Sequence, residues 1–205
     1  MTLITEQEQA AISAAIAEVE QKSDAELVTV LAAQSDDYHY IPTLWAALLA
    51  MLTPVALTLS NLWLEQSDIL LAQFGVFVIA ALVFRWPPLL FMLIPAGVRR
   101  WRAGNLARRQ FLDNNLHHTA GDTGVLIFVS EAEHYVEIIA DRGIDQHVAQ
   151  DEWQRMVNDF TDAVRRGDTA AGFIQCIQAC GDIMIEHAPA THDRNELPDH
   201  LIILD

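Results

Sequence analysis

Three acidic residues crowd one short stretch of the chain. In YVEIIADRGID, Glu137 and Asp141 stand four apart, and Asp145 follows beyond Gly143. If YVEIIA is a strand, positions four apart share one face. A glycine between Asp141 and Asp145 permits the turn geometry that lets carboxylates converge. Clustered carboxylates bind hard cations, so the pattern points to Ca²⁺ or Mg²⁺ as a cofactor. Glu26, which begins an earlier apolar run, becomes a fourth ligand if the two strands are neighbours. Strand ends are favoured ligand positions in α/β folds. The competing reading is solvated edge acids, with Asp141 paired to Arg142 and no metal.

Other polar groups read as structural. Glu131, Glu133 and His134 suit a hairpin tip, His117-His118 a helix end, and Asn195-Glu196-Leu197-Pro198 a docked tail. Cys176 and Cys180 lie i, i+4 on an expected helix and have no matching His pair for zinc. They read as reduced packing residues of a cytoplasmic domain. The chain carries no P-loop, no G-x-G-x-x-G, no Cys-x5-Arg and no G-x-S-x-G.

The positioning elements divide by charge. The chain has 205 residues, a net charge of −16 and a 52% hydrophobic composition. Residues 1–40 hold 8 acids and 1 base, and residues 131–205 hold 16 and 5. Residues 41–130 hold only 4 acids and 6 bases. Such an acidic balance argues against nucleic acid as a partner, because phosphate neutralisation dominates that affinity. The first 25 residues contain no apolar core preceded by positive charge, so no cleavable signal peptide is expected.

From Tyr38 to Leu64 there is no Asp, Glu, Lys or Arg. A helix needs about 20 apolar residues to cross a bilayer core. Pro42 suits a first turn, and Pro54 would kink the helix without forbidding it. Glu65 to Asp68 make a polar turn, and a second uncharged run, Ile69 to Phe84, ends at Arg85-Trp86. That run is short, and the LLFMLIP segment beyond Pro87-Pro88 lies in or at the membrane. Arg99, Arg100, Arg102, Arg108 and Arg109 follow, whereas the turn between the runs has no arginine. Under the positive-inside rule the arginine side is cytoplasmic, and two crossings put both termini there. VRRWRAGNLARRQFL also reads as a helix suited to anionic lipid headgroups.

The remaining segments read as a small α/β domain. Thr5 to Glu8 form a capping box ahead of Ile12, Ala15, Ile16 and Val19 at helical spacing. LVTVL is a strand, and GVLIFV and YVEIIA are two more, joined as a hairpin. A helix with Trp153, Met156, Val157, Phe160 and Val164 on one face stops at Gly167. Asp168 can cap the next, whose inward residues are Ile174, Ile177, Gly181, Met184 and Ile185. A last apolar run, LIIL, closes the tail. The first strand and GVLIFV must meet across the hairpin. The expected division is 1–40 helix and first strand, 41–98 hairpin, 99–188 the rest of the domain with the basic helix, and 189–205 tail.

The run TGVLIFVSEAEHYVEIIADRGIDQHVAQDEWQRMVNDFTDAVRRGDTAAGFIQCIQACGDIM resembles the TPM domain, also called TPM phosphatase. The matching features are Gly124, Ser130, Tyr135–Ala140, Gly143, the turn Arg165-Arg166-Gly167-Asp168, and Gly172. Asp141-Arg142-Gly143 stands where the family usually has a Gly-Tyr-Gly-type turn. The resemblance covers about 1–35 and 105–187. It is nearest to bacterial membrane proteins with a hairpin inside the domain and an NELPD tail. It implies a TPM-like small sheet flanked by helices, interrupted by a transmembrane hairpin, in a multi-pass protein of the bacterial inner (plasma) membrane. It also implies a non-catalytic accessory or assembly factor with a membrane-protein partner; the alternative is a divalent-cation-dependent phosphatase of low activity.

Overall fold

The computed structural model describes residues 4–60, 63–119, 121–191 and 200–204. The chain forms two compact units, one of Met1–Ser35 with Arg100–Asp205 and the other of Asp36–Arg99.

The first unit opens with α1 (Glu6–Glu20). The Thr5 hydroxyl accepts from Glu8 N–H while the Glu8 carboxylate accepts from Thr5 N–H, the expected capping box. Ile12, Ile16 and Val19 form its buried stripe. β1 (Leu27–Ala32) follows and is buried throughout.

In the second unit, α2 (Tyr40–Leu59) runs through Pro54 without ending. α3 (Gln66–Val83) starts at Glu65, capped reciprocally with Asp68. It begins three residues ahead of the uncharged run, so its 18 residues reach about 27 Å at 1.5 Å per residue. The 20 residues of α2 reach about 30 Å. α2 and α3 pack on each other. α4 (Pro87–Leu93) has its prolines at the first turn, where a missing N–H is harmless. Tyr38, Ile41 and Ile94 bury together, and Trp45 donates its indole N–H to the Leu93 carbonyl at 3.2 Å.

α5 (Ala96–Asp113) leads back into the first unit. It is followed by a 3₁₀ turn at Leu116–His118, where the two histidine rings lie 4.0 Å apart. β2 (Val125–Ser130) and β3 (Tyr135–Ala140) come next. α6 (Arg142–Asp145) is a single turn, and α7 (Gln150–Arg166) ends at Gly167 with φ +83°. α8 (Thr169–His187) has Asp168 at its cap position, but the side chain caps nothing and pairs with Arg166 at 3.6 Å. β4 (Leu201–Leu204) closes the described chain.

The sheet order is β3-β2-β1-β4. β1 is parallel to β2 and to β4, and β2 is antiparallel to β3. The LIIL run is therefore an edge strand. The NELPD motif lies outside the described residues.

Both faces of the sheet are covered, which explains why its central strands are apolar at consecutive positions. Leu27, Leu31, Ile127 and Val129 meet α1, α7 and α8 through Ile16, Trp153, Phe160, Phe173 and Ile177. Val28, Val30, Leu126 and Phe128 meet Ala103 and Ala107 of α5, with Leu116. The arginine-rich helix is thus also a structural layer. Its small residues Ala103, Gly104 and Ala107 bury against the sheet, while Arg100, Arg108 and Arg109 remain exposed. Cys176 and Cys180 are free thiols buried on the inner face of α8.

Candidate functional site

Of the carboxylates singled out by sequence, Glu26, Asp141 and Asp145 lie at one end of the sheet, and Glu137 lies within β3 opposite Phe128. Val125 N–H donates to the Glu26 carbonyl at 2.8 Å, and Asp141 N–H donates to the Gly124 carbonyl at 2.8 Å. Glu26, Gly124 and Asp141 therefore stand in one row across three strands. β2 intervenes between β1 and β3, so the expected neighbourhood of Glu26 and Asp141 does not form. Two strand spacings, about 10 Å, separate their backbones.

Each of the four has its own setting. Glu26 is 4% exposed at the start of β1. Glu137 turns toward α5, accepts from the Tyr135 hydroxyl at 2.9 Å and lies 3.9 Å from Arg108. Asp141 folds back to accept from Arg142 N–H at 2.7 Å, capping α6. Asp145 ends that turn in solvent. Among the described residues no three His, Cys, Asp or Glu side chains form a group able to hold a metal ion. The residues present do not close into a Ca²⁺ or Mg²⁺ ligand set.

Gly143 serves a different end from the one its spacing suggests. Its φ is not positive. A β-carbon there would lie 2.4 Å from the Gly121 carbonyl oxygen and 2.6 Å from that of Asp122. The glycine lets the α6 turn seat against the Gly121-Asp122 turn, with Gly143 N–H donating to the Asp122 carbonyl at 2.7 Å.

The carboxyl ends of β1 and β2, where ligands of α/β folds gather, lie at the opposite end of the sheet. Ser35, just past β1, donates its N–H to Glu133 at 3.2 Å and its hydroxyl to Ser130 at 2.8 Å. Ser130 also donates to Glu133. Glu131 accepts from the Thr169 hydroxyl at 3.3 Å. Burial pushes the Glu131 carboxyl above its usual range, while the Thr169 hydrogen bond and His134 act against that shift. Glu131 and Glu133 lie in the β2–β3 turn, as expected, and are also tied to α8 and to the segment after β1. The signal was present, since Ser130 ends one strand and Ser35 follows another, but only the parallel register brings them together.

Beside β3 lies a cleft of about 500 Å³ between residues 134–138 and α7. Tyr135 stands at its rim. Burial, then the charge of Glu137 and the hydrogen bond to it, push the Tyr135 phenol far above its ordinary value, against Arg108 and Arg100.

A four-stranded mixed sheet covered by helices on both faces, with a pair of long apolar helices inserted after its first strand, defines the class of this chain. Residues 99–183 match the family model described as the TPM domain, so the chain carries a TPM domain over that stretch. The fold is also similar to the NMR structure of BA42 protein from the psychrophilic bacterium Bizionia argentinensis sp. nov.. That likeness has a TM-score of 0.58 and 17% identity, and it covers 98% of this chain and 94% of the other. At that identity it is a likeness of fold. None of the curated proteins compared matches the chain.

Proposed function

We propose that this chain is a membrane-anchored, non-catalytic accessory or assembly protein, with its acidic α/β unit on the cytoplasmic side of a bacterial inner membrane. The anchor is the α2–α3 hairpin. Only 22% of the most apolar stretch of α2 and 6% of that of α3 is buried. A core helix of a soluble protein hides such a surface, whereas here Leu48, Leu52, Phe74, Ile79 and Leu82 are open. Both helices have the length a hydrocarbon core of about 30 Å requires.

The pairing of β1 with β2 carries the topology. β1 precedes the hairpin and β2 follows it, yet they are hydrogen-bonded neighbours. Both flanks therefore belong on one side of any membrane the hairpin enters, which requires an even number of crossings. The five arginines from Arg99 to Arg109, against none in the turn before α3, support a cytoplasmic side under the positive-inside rule. The exposed ones can also meet anionic headgroups.

The chain should resist extraction from membranes by carbonate or high salt, and recovery in the soluble fraction without detergent would overturn the anchor. Reporter fusions after Asp205 and in the Glu65–Asp68 turn should give opposite compartment signals. A periplasmic signal after Asp205 would overturn the orientation. A stoichiometric partner in a mild-detergent pull-down supports the accessory role, whereas phosphatase turnover lost in Asp141→Asn would replace it with the enzymatic alternative.

A further inference from the structure

β3 is an edge strand that pairs on one side only. Asp141 N–H bonds to β2, and antiparallel bonding alternates along a strand. Tyr135, Glu137 and Ile139 thus turn their backbone groups toward β2, while Val136, Ile138 and Ala140 turn theirs outward. Natural sheet edges are blunted by proline, lysine, bulges or shortness. β3 has none of these four, and its one protective feature is the inward-turned charge of Glu137. It pairs over six residues in unbroken register and contains neither proline nor lysine. The other edge strand, β4, has four residues.

The cleft beside β3 has a peptide-binding character. Gln154, Asn158 and Thr161 of α7 offer amide and hydroxyl groups, and Arg100 and Arg165 supply cationic charge. Its one lining carboxylate, Glu137, is engaged by Tyr135 and Arg108. Arg165 also meets Asp162 at 3.1 Å, an exposed pair of small worth. In a chain of net charge −16 this is a locally cationic place. Trp153, 7% exposed, lines the cleft, and its indole N–H finds no acceptor among the described residues. A buried donor without a partner is costly.

We propose that this cleft is a β-augmentation site for an extended acidic segment of a partner protein. The proposal rests on the accessory reading and gives its partner a chemistry. The incoming segment pairs with the outward N–H and C=O groups of Ile138, which is partly exposed, and must uncover those of Val136, which is 4% exposed. Its side chains project alternately, so acidic ones can reach Arg100 and Arg165. Main-chain bonds give such complexes their affinity and the side-chain positions their specificity.

The test uses the full chain in detergent micelles and an acetylated, amidated hexapeptide alternating Glu with Val. Hydrogen exchange should slow at the Val136 and Ile138 amides when the peptide is added. The same peptide N-methylated at alternate amides should bind about tenfold more weakly, the loss of one or two hydrogen bonds. Replacing its Glu by Lys should also weaken binding, and Arg165→Glu should restore the Lys peptide while weakening the Glu peptide. Equal binding of the N-methylated peptide, or no protection at millimolar peptide, overturns the proposal. Concentration-dependent protection of the same amides without peptide overturns it too, and makes the occupant a second copy of this chain. If the peptide fails while the chain still requires detergent, the docking site falls and the membrane reading stands.

Discussion

The Tyr135 hydroxyl donates to Glu137 Oε2 at 2.9 Å, two residues along the same face of β3 and beneath α5. Gly104 makes room for this, because a β-carbon there would stand 3.2 Å from the Tyr135 hydroxyl oxygen. Burial and the adjoining carboxylate hold the phenol protonated far above its ordinary range. In the unfolded chain the same phenol ionises near pH 10. A native pKa raised above the unfolded value gives stability that is complete below about pH 10 and lost as pH rises beyond it. Denaturant melts at pH 8 and pH 11 should show this loss, and Tyr135→Phe should reduce it. At pH 8 the variant should cost about 1 kcal/mol, the net worth of one partly buried hydrogen bond. Equal pH slopes in the two proteins would refute the assignment.

Glu131 behaves in the same sense at lower pH. Burial raises its carboxyl, and the Thr169 hydrogen bond offsets only part of that. The folded state therefore favours the protonated acid, and stability falls as pH rises through the carboxylate range. Glu131→Gln keeps an acceptor for Thr169 and removes the charge. At pH 7 it should melt at or above the parent temperature, and the difference should close toward pH 4. A variant clearly less stable than the parent at pH 7 would mean that the ionised form is the one the fold prefers.

Most of the fold was legible because the signals were local. The capping box at Thr5, the stripe Ile12–Ile16–Val19, the YVEIIA strand and the Gly167 stop depend on neighbours within a few residues. The pairing of β1 with GVLIFV was legible too, since two apolar strands on either side of a hairpin must share a sheet. Together with the expected hairpin, that pairing puts β2 between β1 and β3, and this order separates Glu26 from Asp141. What escaped was the place of β4. The four-residue LIIL run gave no periodicity to fix it as a parallel edge strand. The arginines of α5 hid its second role, because Ala103 and Ala107 are small enough to bury without leaving an apolar stripe. The polar knot of Ser35, Ser130 and Glu133 joins residues 95 and 98 positions apart, so only register reveals it.

Gly143 and Gly124 should be intolerant for the same reason, close backbone approach. A β-carbon on Gly124 would fall 2.3 Å from the Leu116 carbonyl oxygen, and one on Gly143 would fall 2.4 Å from that of Gly121. Neither obstacle is the end of a flexible side chain, so backbone must move. Overpacking of this kind costs about 1–3 kcal/mol, and both alanine variants should lower the melting temperature. Gly97 is the control. It is helical, its added methyl meets nothing within 4 Å, and alanine favours helix. Gly97→Ala should therefore be neutral or stabilising. Tolerance of alanine at position 143 would show that the α6 turn does not seat against Gly121 and Asp122.

The carboxylates around Gly143 make the last prediction. Asp141 spends an oxygen on Arg142 N–H, Asp145 ends its turn in solvent, and Glu137 is held by Tyr135 beneath α5. A hard cation prefers six or more oxygen ligands, and these three side chains have separate engagements. Millimolar Ca²⁺ or Mg²⁺ should then leave the melting temperature where EDTA leaves it, because only a ligand that prefers the native state stabilises by mass action. Asp141→Asn, which retains an acceptor oxygen for the cap, should change stability little. Asp141→Ala should cost about 1 kcal/mol through the lost cap. A melting temperature that rises with Ca²⁺ or Mg²⁺, and whose rise vanishes in Asp141→Asn or Asp145→Asn, would show that these acids converge on an ion. That result would return a divalent-cation-dependent phosphatase to first place.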